Sequence, residues 1–205
     1  MTVRPFELLV GTRNRHKAAE IRRLIFDLSV EVLDLSAFQE LPDVAEEGET
    51  FEENAVAKAA AFARMTGLAT IADDSGLEVD ALGGRPGIYS ARFAGPSATD
   101  DANNNLLLEM LKSTQAYERT ARYRCAIAFA TPEQSVFCCE GSVEGVIADG
   151  LYGTNGFGYD PLFFVPEYGA TFGVLASEIK DRISHRSRAL TQFRRLLADY
   201  LSMHR

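Results

Sequence analysis

Two polar side chains and a lysine follow the first apolar stretch of the sequence, in the pattern Thr12-x-Asn14-x-x-Lys17. Asparagine is a favoured N-cap, so Asn14 can open a helix whose first backbone N–H groups face an anion. Lys17 adds a positive charge beside them. This arrangement suits a phosphate group, although the glycine pattern of a P-loop is missing. The alternative is an ordinary helix cap with a solvated lysine, and this segment alone favours neither.

A second candidate site is acidic and lies in the segment TIADDSG, where Asp73 and Asp74 are neighbours. Side chains alternate along a strand, so the two carboxylates point in opposite directions, and Asp74 shares its face with Thr70 and Ala72. With Glu46 from the acidic segment PDVAEEGE, Asp74 suits a hard cation such as Mg²⁺, which takes one or two carboxylates plus phosphate oxygens. The alternative is a turn formed by Asp-Ser-Gly at the end of the strand.

Two further segments supply a polar pair and an aromatic loop. Asn54 and Lys58 lie one turn apart in ENAVAK, and we expect them on the exposed face of a helix. The glycines of GTNGFGYDP let the backbone approach a ligand, with Phe157 and Tyr159 as flat surfaces on which a base can stack. Taken singly, the first segment is typical of a solvated surface and the second of a tight turn with core aromatic residues.

Three basic residues, Lys180, His185 and Arg186, surround the expected start of the last helix near Ser184. Cations repel the partial positive charge of a helix N-terminus, so we expect a bound anion to compensate them. Without it, the expected cost is about 0.3–1 kcal/mol per charge. Phosphate-binding cations, an acidic pair and an aromatic glycine loop together make up the parts of a nucleoside triphosphate site.

The elements that must position these residues alternate between strands and helices. The apolar residues Ile21, Leu24, Ile25 and Leu28 have helical spacing, and Thr50 with Glu53 has the pattern of a capping box. We expect strands at residues 6–10, 31–35, 69–72, 77–82, 122–130 and 135–146, and further helices at about residues 50–64, 99–111 and from 184 onward. This order predicts an α/β fold, with residues 1–205 as a single domain.

Composition excludes several classes of protein. The chain has 205 residues and a formal charge of -8, which argues against general binding of nucleic acid. No segment has the roughly 20 apolar residues that span a bilayer, and no signal peptide is recognisable, so we expect a cytoplasmic protein that binds no membrane. The three cysteines lack zinc-site spacing and are expected to be reduced core or strand thiols, here Cys125, Cys138 and Cys139.

Five segments, in this order, resemble the inosine/xanthosine triphosphate pyrophosphatase family: TxNxxK near the N-terminus, EEGETFEENAVAKA, ADDSGLEVDALGGRPGIYSARFAG, GFGYDPLFF and SHR. The match spans residues 12–186. The resemblance implies an elongated, two-lobed mixed sheet with flanking helices, a central nucleotide-binding cleft and a homodimer. It also implies Mg²⁺-dependent hydrolysis of non-standard purine nucleoside triphosphates to the monophosphate and pyrophosphate.

The resemblance also implies roles for individual residues. Asp74 matches the general base and a metal contact, and Glu46 matches a glutamate that binds metal. The residues implied to contact the substrate are Thr12, Asn14, Lys17, Ser75, Phe157, Gly158, Tyr159, Asp160, Lys180, His185 and Arg186. From their own segments we add Asn54 and Lys58.

The sequence departs from the family pattern in two places. Arg13, Arg15 and His16 stand where relatives often have small residues, and they add positive charge beside the expected phosphate site, so we include them among the substrate-binding residues. The segment DGLYG lacks a proline that is common before Thr154. Two other functions stay open: a pyrophosphatase for another unusual nucleotide, such as a modified pyrimidine, and a nucleotide-sensing protein without catalysis.

Overall fold

The computed structural model describes residues 5–38 and 40–203, and their strands form a single mixed sheet. The strands are, in chain order, β1 (Phe6–Val10), β2 (Val30–Asp34), β3 (Ala69–Val79), β4 (Thr120–Ala130), β5 (Ser135–Ile147), β6 (Phe163–Val165) and β7 (Ala170–Thr171). Their order in the sheet is β2-β1-β3-β4-β5-β6-β7. β1 runs parallel to both of its neighbours, whereas β6 is antiparallel to β5 and β7. The predicted α/β class is therefore confirmed.

Three of the helices begin at side-chain caps, and the sequence already suggests two of these caps, Asn14 and Thr50. The helices are α1 (Arg15–Leu24), α2 (Phe51–Thr66), α3 (Asp100–Met110), α4 (Ser177–Ile183) and α5 (His185–Met203). Asn14, Thr50 and Thr99 each accept backbone N–H groups of the helix that follows. Gly67 ends α2 in the left-handed region at φ 72°, which is the ordinary role of glycine after a helix. Within the described residues, no helix is both long and apolar enough to cross a membrane.

The chain divides into two compact units. The first contains Met1–Asp74, Cys125–Gly141 and Arg186–Arg205, and the second contains Ser75–Arg124 and Ser142–His185. β3, β4 and β5 each contribute residues to both units. Three of the four changes of unit along the chain therefore lie inside long strands, and the fourth lies at the start of α5, between His185 and Arg186.

The first unit has apolar clusters on both faces of β1. Val10 belongs to one cluster with Ile21 of α1 and Phe193 of α5, whereas Leu9 belongs to another with Phe62 of α2. Because side chains alternate along a strand, α1 and α5 cover one face and α2 covers the other. This placement decides which helices can reach each of the two neighbouring aspartates in β3.

The second unit has an aromatic core. Tyr123 of β4 packs against Phe163 of β6 with ring centroids 4.6 Å apart, and Phe163 stacks on Phe172 at 5.3 Å. Leu77 of β3 and Leu107 of α3 complete the centre of this cluster and are fully buried. The core thereby holds α3 and β6 against the strands of this unit.

Two predictions about the elements are wrong. The segment Ala69–Val79 is one continuous strand, so Asp73 and Asp74 lie in its interior and do not form a turn at its end. The last basic cluster does not begin a single helix, because Ser184 has an extended backbone at φ -67° and ψ 158° and separates α4 from α5. Lys180 consequently lies in the last turn of α4, where a cation is favoured by the helix dipole.

The loop between β5 and β6 packs closely against the backbone of Gly173. Asn155 N donates to Gly173 O at 2.9 Å, and Gly173 N donates to Asp160 O at 2.9 Å. A Cβ atom at Gly153 would lie 2.0 Å from Gly173 O, and Gly153 has φ +80°. Glycine at 153 is therefore what lets this loop approach so closely.

We expect Gly153→Ala to destabilise the protein by more than about 1 kcal/mol, because the left-handed backbone alone costs an L-residue about 1–2 kcal/mol and the new methyl group also meets backbone atoms. Gly150→Ala is the matched control, since the nearest atom to its new Cβ is 3.9 Å away. Urea unfolding of both variants measures the difference. Equal free energies of unfolding for the two variants would contradict this account of the loop.

Candidate active site

The side chains of Asp73 and Asp74 point to opposite faces of β3, as the alternation of side chains along a strand predicts. Asp73 contacts Lys17 of α1 and Arg186 of α5, whereas Asp74 contacts side chains of α2. Both carboxylates are buried. Each therefore depends on the helix that covers its own face for compensation of its charge.

Asp73 forms the centre of a buried network of alternating charges. Its Oδ2 lies 3.1 Å from Lys17 Nζ and 3.1 Å from Arg186 Nη2, and the other end of the Arg186 guanidinium binds the Glu20 carboxylate. Burial alone would raise the pKa of Asp73, but the two cations outweigh it and hold that pKa well below its ordinary value. Burial alone would lower the pKa of Arg186, but the carboxylates of Asp73 and Glu20 outweigh it and raise that pKa. Asp73 and Arg186 are therefore both charged at neutral pH.

The loop before α1 has the capping geometry that we predict for a phosphate site. The Asn14 side chain accepts from His16 N at 3.0 Å and from Lys17 N at 3.2 Å, while Thr12 Oγ1 accepts from Asn14 N at 3.2 Å. Arg15 and His16 are exposed. Arg13 is also exposed, and its guanidinium pairs with Asp43 at 2.5 Å.

Asp74 lies in a second polar cluster on the α2 face. Asn54 Nδ2 donates to Asp74 Oδ2 at 3.0 Å, and Lys58 Nζ lies 3.4 Å from Asp74 Oδ1 and 2.7 Å from Glu46 Oε1. The prediction that Asn54 and Lys58 are solvent-exposed is wrong, since they are 1% and 9% exposed. The sequence pattern missed this because the acidic segment folds over them: Gly48 N donates to Asn54 Oδ1 at 2.8 Å.

The two aspartates have opposite electrostatic environments. Burial raises the pKa of Asp74 above its ordinary value, Lys58 and Lys17 offset this only in part, and Glu46 raises it further. Burial alone would lower the pKa of Lys58, but Asp74, Asp73 and Glu46 outweigh it and raise that pKa. Asp73 is thus a fixed anion, whereas Asp74 is the carboxylate better suited to accept a proton.

The pair Glu46 and Asp74 fits a magnesium ion that shares its coordination with a substrate. Within the part of the chain that the structure describes, no group of three or more His, Cys, Asp or Glu side chains could hold a metal by itself. Mg²⁺ commonly uses one or two carboxylates together with phosphate oxygens and water. The donors present therefore suit a metal that binds with a phosphate ligand, and not a closed protein site.

In the second unit, the loop with the predicted aromatic residues is built around Asp160. Its Oδ2 accepts from Phe157 N at 2.9 Å and lies 2.6 Å from Lys180 Nζ. The same ammonium lies 4.7 Å from the centroid of the Phe157 ring, a cation–π distance. Tyr159 is buried and donates its hydroxyl to Ser90 O at 2.8 Å. Tyr159 is thus a structural anchor, while Phe157 remains partly exposed.

The neighbouring residues His185 and Arg186 belong to different units. His185 stacks on Tyr123 with ring centroids 4.7 Å apart and an interplanar angle of 14°. The expectation that these cations await an anion from outside is wrong for Lys180 and Arg186, because Asp160, Asp73 and Glu20 already compensate them.

Several residues in these clusters were missed by the sequence analysis. Glu20 completes the charge network one turn after Lys17, and its helical spacing was the available signal. Asp100 accepts from Gly158 N at 2.7 Å, and Asn104 donates to Gly158 O at 2.9 Å. Nothing local to α3 predicts a contact with a loop more than fifty residues later. Ser75 is half-buried in β3 directly after Asp74.

Comparisons with known proteins show which proteins the chain is similar to. The model of the Ham1 family matches residues 8–196. A dITP/XTP pyrophosphatase from Geobacter sulfurreducens is 50% identical over 194 residues, covering 95% of this chain and 96% of that protein. One from Listeria monocytogenes is 46% identical over 193 residues, covering 94% and 95%.

Solved structures give the same result. The Staphylococcus aureus Ham1 protein has a TM-score of 0.82 at 42% identity, covering 97% of this chain and 100% of that chain. A HAM1 protein from Coxiella burnetii has a TM-score of 0.86 at 39% identity, covering 95% and 99%. These similarities confirm the resemblance that the motifs indicate.

The charge network around Asp73 predicts a large stability effect at Arg186. Arg186→Met should lower the free energy of unfolding by about 3–5 kcal/mol, because it leaves two buried carboxylates with one cation fewer. The control on the same helix is Arg194→Met, whose pair with Asp27 is partly exposed and should matter little. Urea unfolding at neutral pH compares them, and similar losses for both variants would show that Arg186 does not hold the network together.

Proposed function

The chain belongs to the Ham1 family, and we propose that it hydrolyses non-standard purine nucleoside triphosphates, ITP, dITP, XTP and dXTP, to the monophosphate and pyrophosphate. The relatives named dITP/XTP pyrophosphatase, at 46–50% identity over nearly the whole chain, support this activity. The observation that carries the proposal is the pair of adjacent carboxylates with opposite environments. Such an enzyme removes deaminated purine nucleotides from the nucleotide pool.

The triphosphate would be bound by the cations and backbone donors of the first unit. The α1 N-terminus, capped by Asn14, offers N–H groups and a favourable dipole for an anion. Lys17 and Lys58 add two ammonium groups, which neutralise phosphate oxygens so that water can approach the α-phosphorus. We assign Thr12 and Asn54 to the same set, and the exposed cations Arg13, Arg15 and His16 to its periphery.

We assign the metal site to Glu46 and Asp74 and the metal to Mg²⁺. The hard carboxylate oxygens of these two side chains suit that ion. When bound, Mg²⁺ would screen the negative charge of the phosphate oxygens.

Asp74 is the proposed general base. Its carboxylate would orient a water molecule and accept its proton as the water oxygen bonds to the α-phosphorus and the bond to pyrophosphate breaks. The raised pKa of Asp74 suits proton transfer near neutral pH better than the lowered pKa of Asp73. Asn54, which donates to Asp74 Oδ2, would keep the carboxylate in position.

The base would be recognised by Phe157, Gly158, Asp160, Lys180 and His185, with Ser75 also contacting the substrate. The buried Tyr159, predicted as a stacking surface, would instead hold this loop in place. A 6-keto purine presents an acceptor at O6 and a donor at N1, whereas adenine presents the reverse pattern. The Lys180 ammonium and the Asp160 carboxylate, which pair with each other in the absence of nucleotide, would supply one donor and one acceptor that match the keto form. Of the three basic residues implied to contact the substrate, we assign Lys180 and His185 to the base and Arg186 to the charge network around Asp73, since Arg186 is 1% exposed and binds two carboxylates.

We further propose that the protein is a cytoplasmic homodimer. Its cysteines Cys125, Cys138 and Cys139 are free thiols, and burial raises the pKa of Cys138 to about 12, so that its reactive thiolate is scarce.

Leu151, Tyr152 and Val174 of the second unit expose about half of their surface. Such residues suit the core of a subunit interface.

The test of the activity is release of pyrophosphate from a panel of triphosphates with and without Mg²⁺. We expect kcat/KM for ITP and XTP to exceed that for ATP by more than about tenfold, because adenine leaves buried donors and acceptors unpaired at a cost of about 1–3 kcal/mol. GTP should also be poor, through its 2-amino group. ATP within tenfold of ITP would contradict the base assignment.

The same panel separates the other functions. A preference for a modified pyrimidine triphosphate would favour a different pyrophosphatase, and nucleotide binding without any pyrophosphate release would favour a sensing protein.

We expect Asp74→Asn to lower kcat by at least about 10²-fold, the usual contribution of a general base, while leaving the thermal midpoint nearly unchanged. Asp73→Asn should instead lower stability, since it weakens the contacts with Lys17 and Arg186. Asp199→Asn, an exposed position in α5, controls for the change in charge. Turnover of Asp74→Asn within tenfold of the wild type would exclude Asp74 as the base.

A further inference from the structure

Lys58 bridges the two carboxylates assigned to the metal. Its ammonium lies 2.7 Å from Glu46 Oε1 and 3.4 Å from Asp74 Oδ1, and the residue is 9% exposed. Asn54, one turn earlier in α2, binds both Asp74 and the backbone of Gly48. The segment with Glu46 and the strand with Asp74 are thereby held around one positive group of the protein itself.

We propose that Lys58 is an internal competitor for the divalent-cation site: its ammonium compensates Glu46 and Asp74 until a nucleotide is bound, so that metal binding is weak without nucleotide and strong with it. This inference rests on the proposed function, because it takes the metal ligands from there. It assigns Lys58 a role before substrate binding, in addition to its role as a phosphate contact.

The charges of this cluster explain the competition. Two carboxylates and one ammonium carry a net charge of about -1, so the attraction for a divalent cation is partly cancelled and the cation must also approach Lys58. A lysine is a compact charge on a flexible stem, so it can change partners without moving the helix. A triphosphate offers Lys58 other oxygens, which frees the two carboxylates for the cation.

Lys17 provides the contrast within the same unit. Its ammonium lies 3.1 Å from Asp73 Oδ2, on the other face of β3, and Asp73 is not among the assigned metal ligands. Phosphate binding at Lys17 would therefore break a contact with Asp73 and not one with Asp74, although Lys17 also lowers the pKa of Asp74 through space. Lys58 contacts both ligands directly, and by thermodynamic linkage the metal must strengthen nucleotide binding by the same factor.

The experiment measures binding of Mn²⁺, as a paramagnetic substitute for Mg²⁺, to the nucleotide-free protein. We expect Lys58→Gln to bind Mn²⁺ at least about tenfold more tightly than the wild type, which corresponds to about 1.4 kcal/mol. Lys58→Arg, which keeps the charge, should stay within about threefold of the wild type. Lys112→Gln is the control for net charge, because its pair with Glu109 is largely exposed.

Thermal unfolding gives a second measurement. Added Mg²⁺ should raise the midpoint of Lys58→Gln at concentrations that leave the wild type unchanged, because a ligand stabilises the state that binds it. If Lys58→Gln proves too unstable to isolate, Lys58→Met keeps the packed stem without the charge and has the same expected result.

Pyrophosphate release from ITP by the wild type, measured in parallel, separates this inference from the proposed function. Equal Mn²⁺ affinities for wild type and Lys58→Gln, or no measurable binding to either, with an active wild type would overturn the competition alone. Tighter binding by Lys58→Gln with an inactive wild type would overturn the activity and support the competition.

Discussion

The buried ion pair between Arg186 and Asp73 is the interaction on which the rest of the first unit depends. Neither group could be buried alone, because an uncompensated charge in the interior costs several kcal/mol. Asp73 belongs to a strand in the interior of the sheet, so its cations have to come from the helices that cover its face. α1 supplies Lys17 and α5 supplies Arg186, and Glu20, one turn after Lys17, balances the second positive charge. The start of α1, and with it the candidate phosphate loop, is therefore fixed by charge compensation.

A single property of β-strands gives the two aspartates different chemistry. Neighbouring side chains of a strand face opposite sides, so Asp73 and Asp74 meet different helices although they are adjacent in sequence. Asp73 meets two cations and has a lowered pKa, whereas Asp74 meets one lysine, one amide and a nearby carboxylate and has a raised pKa. The first is a structural anion, and the second is the carboxylate better suited to accept a proton. No special backbone geometry is needed for this division of roles.

The sequence predicted those features that depend on local patterns. The capping of α1 by Asn14 and the opposite directions of Asp73 and Asp74 follow from propensity and periodicity, and both are observed. The predictions from sequence failed where contacts between distant segments determine the environment of a residue. Lys58 was predicted to be solvent-exposed because the sequence of α2 does not indicate the acidic segment that covers it. Lys180 was placed at the start of the last helix because Ser184 interrupts the helix without a proline or glycine, and Lys180 lies at the end of α4 instead. The partners of Arg186 lie more than a hundred residues earlier, a separation that no local pattern predicts.

The pairing of cations with carboxylates also limits which anions the protein can bind. Lys17, Lys58, Lys180 and Arg186 each have a carboxylate partner. An anion that binds one of these lysines replaces a carboxylate, so a singly charged ligand gains little from the exchange. On the proposed mode of binding, a triphosphate with a divalent cation would gain more, because several phosphate oxygens would act together and the cation would compensate the carboxylates that the lysines leave. With a formal charge of -8, the chain offers no overall attraction for polyanions, so selection has to occur at this local exchange.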